Sequence, residues 1–181
     1  WIGGWFENVP IVLYDALRWY DFTRASATAQ FWRPEYVASR ARSFLNPARK
    51  TWNDLEEGNI PQGIKRVTAY LGALRDTANA VAVFSGAPLA ERRLLMELPA
   101  RAAAAGLSGL FADFVSLFTS SEVSDENFTA WVSSYVGIFE ALKQSTTAPV
   151  SLSPYRRGYY EKAINALYPH SHAAAVWLMV Y

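Results

Sequence analysis

Cysteine is absent from these 181 residues. That excludes disulfides, thiolate metal sites and a cysteine nucleophile, while fixing no compartment. Excess charge is missing too: 17 Lys and Arg against 16 Asp and Glu leave a net +1. No electrostatic case therefore exists for a nucleic-acid or anionic-membrane partner. No apolar run reaches the roughly 18 residues of a membrane span, because Asp113 breaks 107–118 and the run 173–181 is short. No basic n-region followed by an apolar h-region opens the chain, so the cytoplasm is the expected compartment. Phosphate loop, Rossmann fingerprint, GxSxG elbow and HExxH are all lacking. Residue 1 is Trp and residue 181 stands in an apolar run, and the expectation is a fragment of a longer polypeptide.

What the chain does hold is apolar and aromatic side chains: 51% of residues are hydrophobic, with 7 Trp, 10 Tyr and 10 Phe. That is enough to bury one sizeable core. Its clearest pattern runs through the middle. Ile60, Ile64, Val67, Leu71, Leu74, Ala78 and Val81 recur at alternating spacings of four and three, which puts them on one side of a long helix. A seam of that kind needs other helices to cover it.

In chain order, Gly3 and Gly4 disfavour helix, and Val9 to Tyr14 is β-prone. Residues 1–14 are expected to form a short hairpin or a linker from an upstream domain; the rival is a helix after Asn8 with Pro10 in its first turn. Asp15 stands as the N-cap of a helix reaching about Phe31. Pro34 opens the next, and Asn46-Pro47 reads as a stop and restart, with a further helix over 47–57 ending at Gly58. The central helix starts at Asn59 or Pro61 and stops near Gly86. A leucine-rich helix follows, disturbed at Pro99 and finished at Gly106, then another over 107–120. Ser124 is the best-supported cap, with acidic residues behind it. After a polar connector, Ser153-Pro154 starts a helix that Pro169 ends, and 171–181 is taken as helix rather than strand. The sum is an all-α fold: an up-and-down bundle of about seven helices over 15–181, antiparallel around 60–84, with the short N-terminal hairpin as an appendage.

Chemistry is sparse. His170 and His172 lie two apart, off a common helix face and without an acidic cluster, so they read as loop residues rather than metal ligands. Tyr155 to Lys162 is the densest polar and aromatic patch. Its arginines offer planar donors to phosphate or carboxylate, its tyrosines offer stacking faces, and it opens a helix. Packed tyrosines with solvated arginines are the plainer reading of the same residues. Arg92 and Arg93, behind Glu91, either face a ligand phosphate or decorate a surface turn. Asp54, Glu56 and Glu57 read as a solvated helix end, and Asp113 as either paired or on an exposed face.

Two adjoining stretches, SFLNPARKTWNDLEEGNIPQGIKRVTAYLGALRDTANAVAVFSG and GAPLAERRLLMEL, combine a short helix, a Glu-Gly break, a long alanine-rich helix and a Gly-x-Pro turn into a leucine-rich helix. Over roughly residues 43–98 this order resembles the C-terminal helical domain of the nucleotidyltransferase superfamily, including aminoglycoside nucleotidyltransferases and their minimal relatives. The resemblance implies a bundle that closes over nucleotide and acceptor beside a catalytic sheet domain. Asp15 then falls near the family's last acidic metal ligand, and the opening residues near the exit from its sheet. The Gly-Ser and Asp-x-Asp signature is not in this sequence, so two-metal transfer with magnesium would depend on an upstream catalytic domain of the same polypeptide.

The leading expectation is therefore the helical substrate-binding part of a nucleotidyltransferase-like protein, noncatalytic alone. Arg156, Arg157, Tyr159 and Tyr160 would touch nucleotide or acceptor, and Asp15 would sit at the boundary. Near-neutral charge speaks against a polycationic acceptor. The alternative is a helical protein-interaction module without a small-molecule site, with Trp19, Trp32, Trp52 and Trp131 as core residues and anchors. A carrier of apolar ligands is a third reading and needs a large apolar cavity.

Overall fold

The computed structural model describes residues 11–119, 123–143, 145, 147 and 149–181. Among them the fold is all-α, with no strand. Its eight helices are α1 (Trp19–Phe31), α2 (Pro34–Glu56), α3 (Ile64–Ala82), α4 (Glu91–Ala104), α5 (Leu110–Ser116), α6 (Asp125–Ala141), α7 (Arg157–Leu167) and α8 (His172–Val180). No helix of the described residues is long and apolar enough to cross a membrane.

The chain divides into two compact units. One holds Trp1–Leu89 with Glu97–Leu110, the other Ala90–Met96 with Phe111–Tyr181. In the first, α2 and α3 pack side by side as a helical hairpin, and α1 leans on α2. Val37, Ala41, Ala48 and Leu55 form the buried stripe of α2; Leu71, Leu74, Ala78 and Ala82 form that of α3. In the second, α7 packs on α8, and both pack on α6. Its core gathers Phe114, Phe128, Phe139, Ile164 and Trp177.

Three expectations need correction. The stop at Asn46-Pro47 does not occur: α2 runs unbroken through Pro47. The proline removes one helical hydrogen bond, but Ala41 before it and Ala48 and Leu55 after it are all buried, and that shared stripe holds the helix together. The N-terminal hairpin is not supported. Its first part, residues 1–10, lies outside the described residues, and Ile11 to Tyr14 form no strand. Their β propensity supplies no partner, and a strand exists only as half of a pair. The central seam, finally, is half-buried at Ile60, open at Ile64 and Val67, and buried from Leu71 to Ala78. Ile64 remains 78% and Val67 52% exposed.

Helix ends follow local chemistry. Gly58 and Gly106 take φ of +75° just past α2 and α4, a conformation that costs a side-chain-bearing residue more. The Ser124 hydroxyl accepts from the Asn127 amide at 3.2 Å, as its spacing predicts. Asp15 caps from farther back: its two carboxylate oxygens accept from the Trp19 and Tyr20 amides at 2.9 and 2.7 Å, in the first turn of α1. Between α2 and α3, the Arg66 guanidinium donates to the carbonyls of Leu55 (2.8 Å) and Ile60 (3.4 Å), tying the connecting loop to the hairpin.

Candidate functional site

The polar and aromatic patch of the second unit opens with a single 3-10 turn, Pro154–Arg156, made possible by the proline's fixed φ, and continues into α7. The four residues singled out there have separate fates. Arg157 is committed within the fold: its guanidinium reaches Glu140 at 2.5 Å and Glu161 at 3.8 Å. Glu140 also holds Lys143 at 2.6 Å, and that lysine, then Arg157, keeps its carboxyl below the ordinary carboxylate range. Tyr160 packs edge-on against Tyr135 at 6.3 Å and beside Phe139 at 6.1 Å. Burial, with Tyr160 adding to it, pushes the Tyr135 phenol up to about 12. Arg156 and Tyr159 stay exposed.

Tyr159 does meet a cation, though one from another part of the sequence. Arg92 donates to its hydroxyl at 3.2 Å and stands 5.3 Å from its ring centroid. The Glu91-Arg92-Arg93 turn and the Tyr155–Lys162 patch thus converge across 67 residues, which neither segment's local pattern signals. What results is an exposed pair, Arg92 on Tyr159, able to offer a cationic donor and one aromatic face.

The remaining candidates have structural roles. His172 stacks on Tyr168 at 4.2 Å, and Tyr168 stacks on Phe128 at 3.6 Å. The Tyr168 hydroxyl donates to Asp125 at 2.6 Å, a bond that, with burial behind it, raises the phenol to about 12. His170 and Asp113 are exposed. Asp54 pairs with Lys50 at 2.6 Å, Glu57 accepts from the Asn59 amide group, and Glu56 accepts from the Trp52 indole at 3.0 Å. Among the described residues no three His, Asp or Glu side chains are grouped to hold a metal ion, and both Asp15 oxygens serve backbone amides.

The first unit contains two concavities that sequence reasoning did not find. Where α2 ends and α3 begins, a pocket of about 420 Å³ is lined by Trp52, Leu55, Gln62, Arg66, Val67 and Tyr70. Trp52 and Tyr70 form one aromatic wall, centroids 5.8 Å apart and tilted by 35°. Burial raises the Tyr70 phenol. Between α1 and α2 lies a concavity of about 570 Å³ lined by Phe22, Phe31 and Tyr36 together with hydroxyl and amide side chains and Arg40. Arg40 is only 6% exposed. It follows Val37 by three residues and precedes Phe44 by four, a register that marks it as inward-facing. A cation on an apolar stripe was the legible sign.

Compared with known protein families, with curated proteins and with solved structures, the chain matches none.

Proposed function

We propose that this chain is a helical protein-interaction module whose partner lays an apolar helix against the loop end of the α2–α3 hairpin. The observation that carries it is the uncovered start of the seam, Ile64 and Val67, next to the Trp52–Tyr70 pocket. Isolated exposed apolar residues are ordinary on any protein, whereas a contiguous patch running into a pocket marks a contact surface. Trp52 is suited to anchoring there. Its indole N–H is already satisfied by Glu56, which leaves the ring free to be covered without an unpaired donor. A groove between two helices takes a third by inserting its i, i+3, i+4 residues.

The test is a photocrosslinking phenylalanine analogue placed at Val67 in the full chain and irradiated in extract of the source cells. One defined protein should be captured through a helical segment, with capture abolished by Ile64→Asp. Capture no different from that of the same probe at the exposed Lys65 would overturn the reading.

A second reading keeps what the resemblance implies: the substrate-binding helical part of a nucleotidyltransferase-like protein, noncatalytic alone and served by an upstream catalytic domain. The Arg92–Tyr159 contact, with Arg156 exposed nearby in sequence, supports it, since guanidinium groups take phosphates and a tyrosine face takes a base. Arg157 contributes less than its position suggests, being held by Glu140. Calorimetric titration of the full chain with ATP and magnesium should then give saturable heat that Arg92→Ala/Arg156→Ala reduces at least about tenfold, the cost of losing charged hydrogen bonds. An unchanged isotherm in the double variant removes this site from consideration.

A further inference from the structure

Near its C-terminal end, the outer side of α2 carries a short row with a direction. Arg49, Trp52 and Glu56 stand at i, i+3 and i+7, one above another on the helix, and all three are exposed. The row reads cation, aromatic ring, carboxylate. Among the described residues Arg49 makes no hydrogen bond or ion pair, and Glu56 accepts from the Trp52 indole alone. The neighbouring cations are engaged elsewhere: Lys50 holds Asp54, and Arg66 grips the Leu55 and Ile60 carbonyls. The last turn of α2 contains no basic residue, and the negative end of the helix dipole disfavours a carboxylate there. Both ends of the row thus lack an opposite charge within the described fold.

We propose that a second copy of this chain covers the loop end of the α2–α3 hairpin, its α2 lying antiparallel to the first about a two-fold axis beside Trp52. Positions 49 and 56 are equally far from a point between 52 and 53. Rotation about that point therefore brings Arg49 of each copy to Glu56 of the other and sets the two Trp52 rings together at the centre. Parallel packing would put like charge on like. The antiparallel pairing also delivers a guanidinium to the helix end that disfavours Glu56. Such a patch is self-complementary, which is what a two-fold interface requires. Tryptophan and arginine are also the residues that interfaces favour. The surface is small, so the association belongs to the weak, reversible class below about 1,200 Å². This inference rests on reading the hairpin's loop end as a contact surface, and it names the occupant.

Sedimentation equilibrium of the purified full chain over a range of concentrations should give a mass that rises from one chain toward two, with a dissociation constant in the micromolar range. Arg49→Glu and Glu56→Arg should each weaken dimerisation at least about tenfold, because the symmetry makes every charge reversal act twice. Mixed together, the two variants should pair with each other. Arg49→Glu/Glu56→Arg should return to within about threefold of the parent, since the same pairs re-form with their signs exchanged. Should Glu56→Arg lose its helical circular dichroism, Arg49→Glu and Glu56→Gln decide instead. The first breaks no contact among the described residues, and the second keeps an acceptor for the indole. A single-chain mass at every concentration, dimerisation unmoved by Arg49→Glu, or a folded double variant that fails to recover overturns the proposal. A single-chain mass beside specific capture at Val67 overturns it and leaves the interaction module standing. Capture at Val67 no different from that at Lys65 overturns the module and this occupant with it.

Discussion

Trp177→Ala should cut amide-exchange protection in α6, α7 and α8 by a factor of about a hundred or more. The side chain is fully buried, the largest so enclosed in the described residues. Three rings surround it: Phe114 at 5.8 Å, Phe118 at 5.4 Å, and Tyr181 stacked at 5.3 Å. Removing an indole from such a cluster leaves a cavity that neighbouring rings cannot close, at about 3–5 kcal/mol. Ordinary domains have only about 5–15 kcal/mol in hand. Trp177→Phe is the informative companion. The indole Nε1 has no hydrogen-bond partner among the described residues, so phenylalanine loses packing but also removes a buried polar group. Its loss should be clearly smaller. Equal losses for the two variants would mean that the N–H, which both lack, is satisfied and outweighs the packing of the ring; a loss below tenfold for alanine would mean that the cluster is not what holds this unit.

Asn79→Ala should lower the urea midpoint by the equivalent of about 3 kcal/mol, with the slope unchanged. Asn79 is 2% exposed. Its amide bonds both backbone groups of Leu89: Oδ1 accepts from the Leu89 N–H at 2.7 Å, and Nδ2 donates to the Leu89 carbonyl at 3.2 Å. The side chain thereby imitates a strand partner for one residue of the turn after α3. Alanine abandons a buried donor and a buried acceptor at once, each costing about 1–3 kcal/mol. Asn79→Asp keeps the shape but loses the donor. Burial would raise that carboxyl, favouring its protonated form, so the variant should be most stable in acid and weaken as pH rises through the raised value. A pH-independent midpoint for Asn79→Asp would show that water reaches the group.

These two residues also indicate where the sequence was readable. Caps and terminators written in neighbouring residues came through, as at Ser124, Gly58 and Gly106, because their partners are three or four positions away. The apolar stripes of α2, α3 and α6 were readable for the same reason. Pro47 was misread because a local rule, the missing amide, was outweighed by burial of Ala48 and Leu55 downstream. The seam's first turns were misread in the opposite sense: periodicity says which side is apolar and nothing about how far the cover extends. Asn79 and Arg40 each interrupt an apolar face, a mark visible in the letters, yet the partner ten residues on and the cavity wall are products of the fold. The Arg92–Tyr159 meeting had no local sign at all.

The Arg66 brace has a consequence for recognition. By gripping the Leu55 and Ile60 carbonyls it holds the elbow between two helices in one shape before anything arrives. Ordering a loose loop during association subtracts from affinity, and here most of that subtraction has been made during folding. A partner of the kind proposed for the neighbouring tryptophan would therefore meet a surface already set in shape. Loosening the grip, as in Arg66→Ala, would show first as slower capture and only then as lost contact.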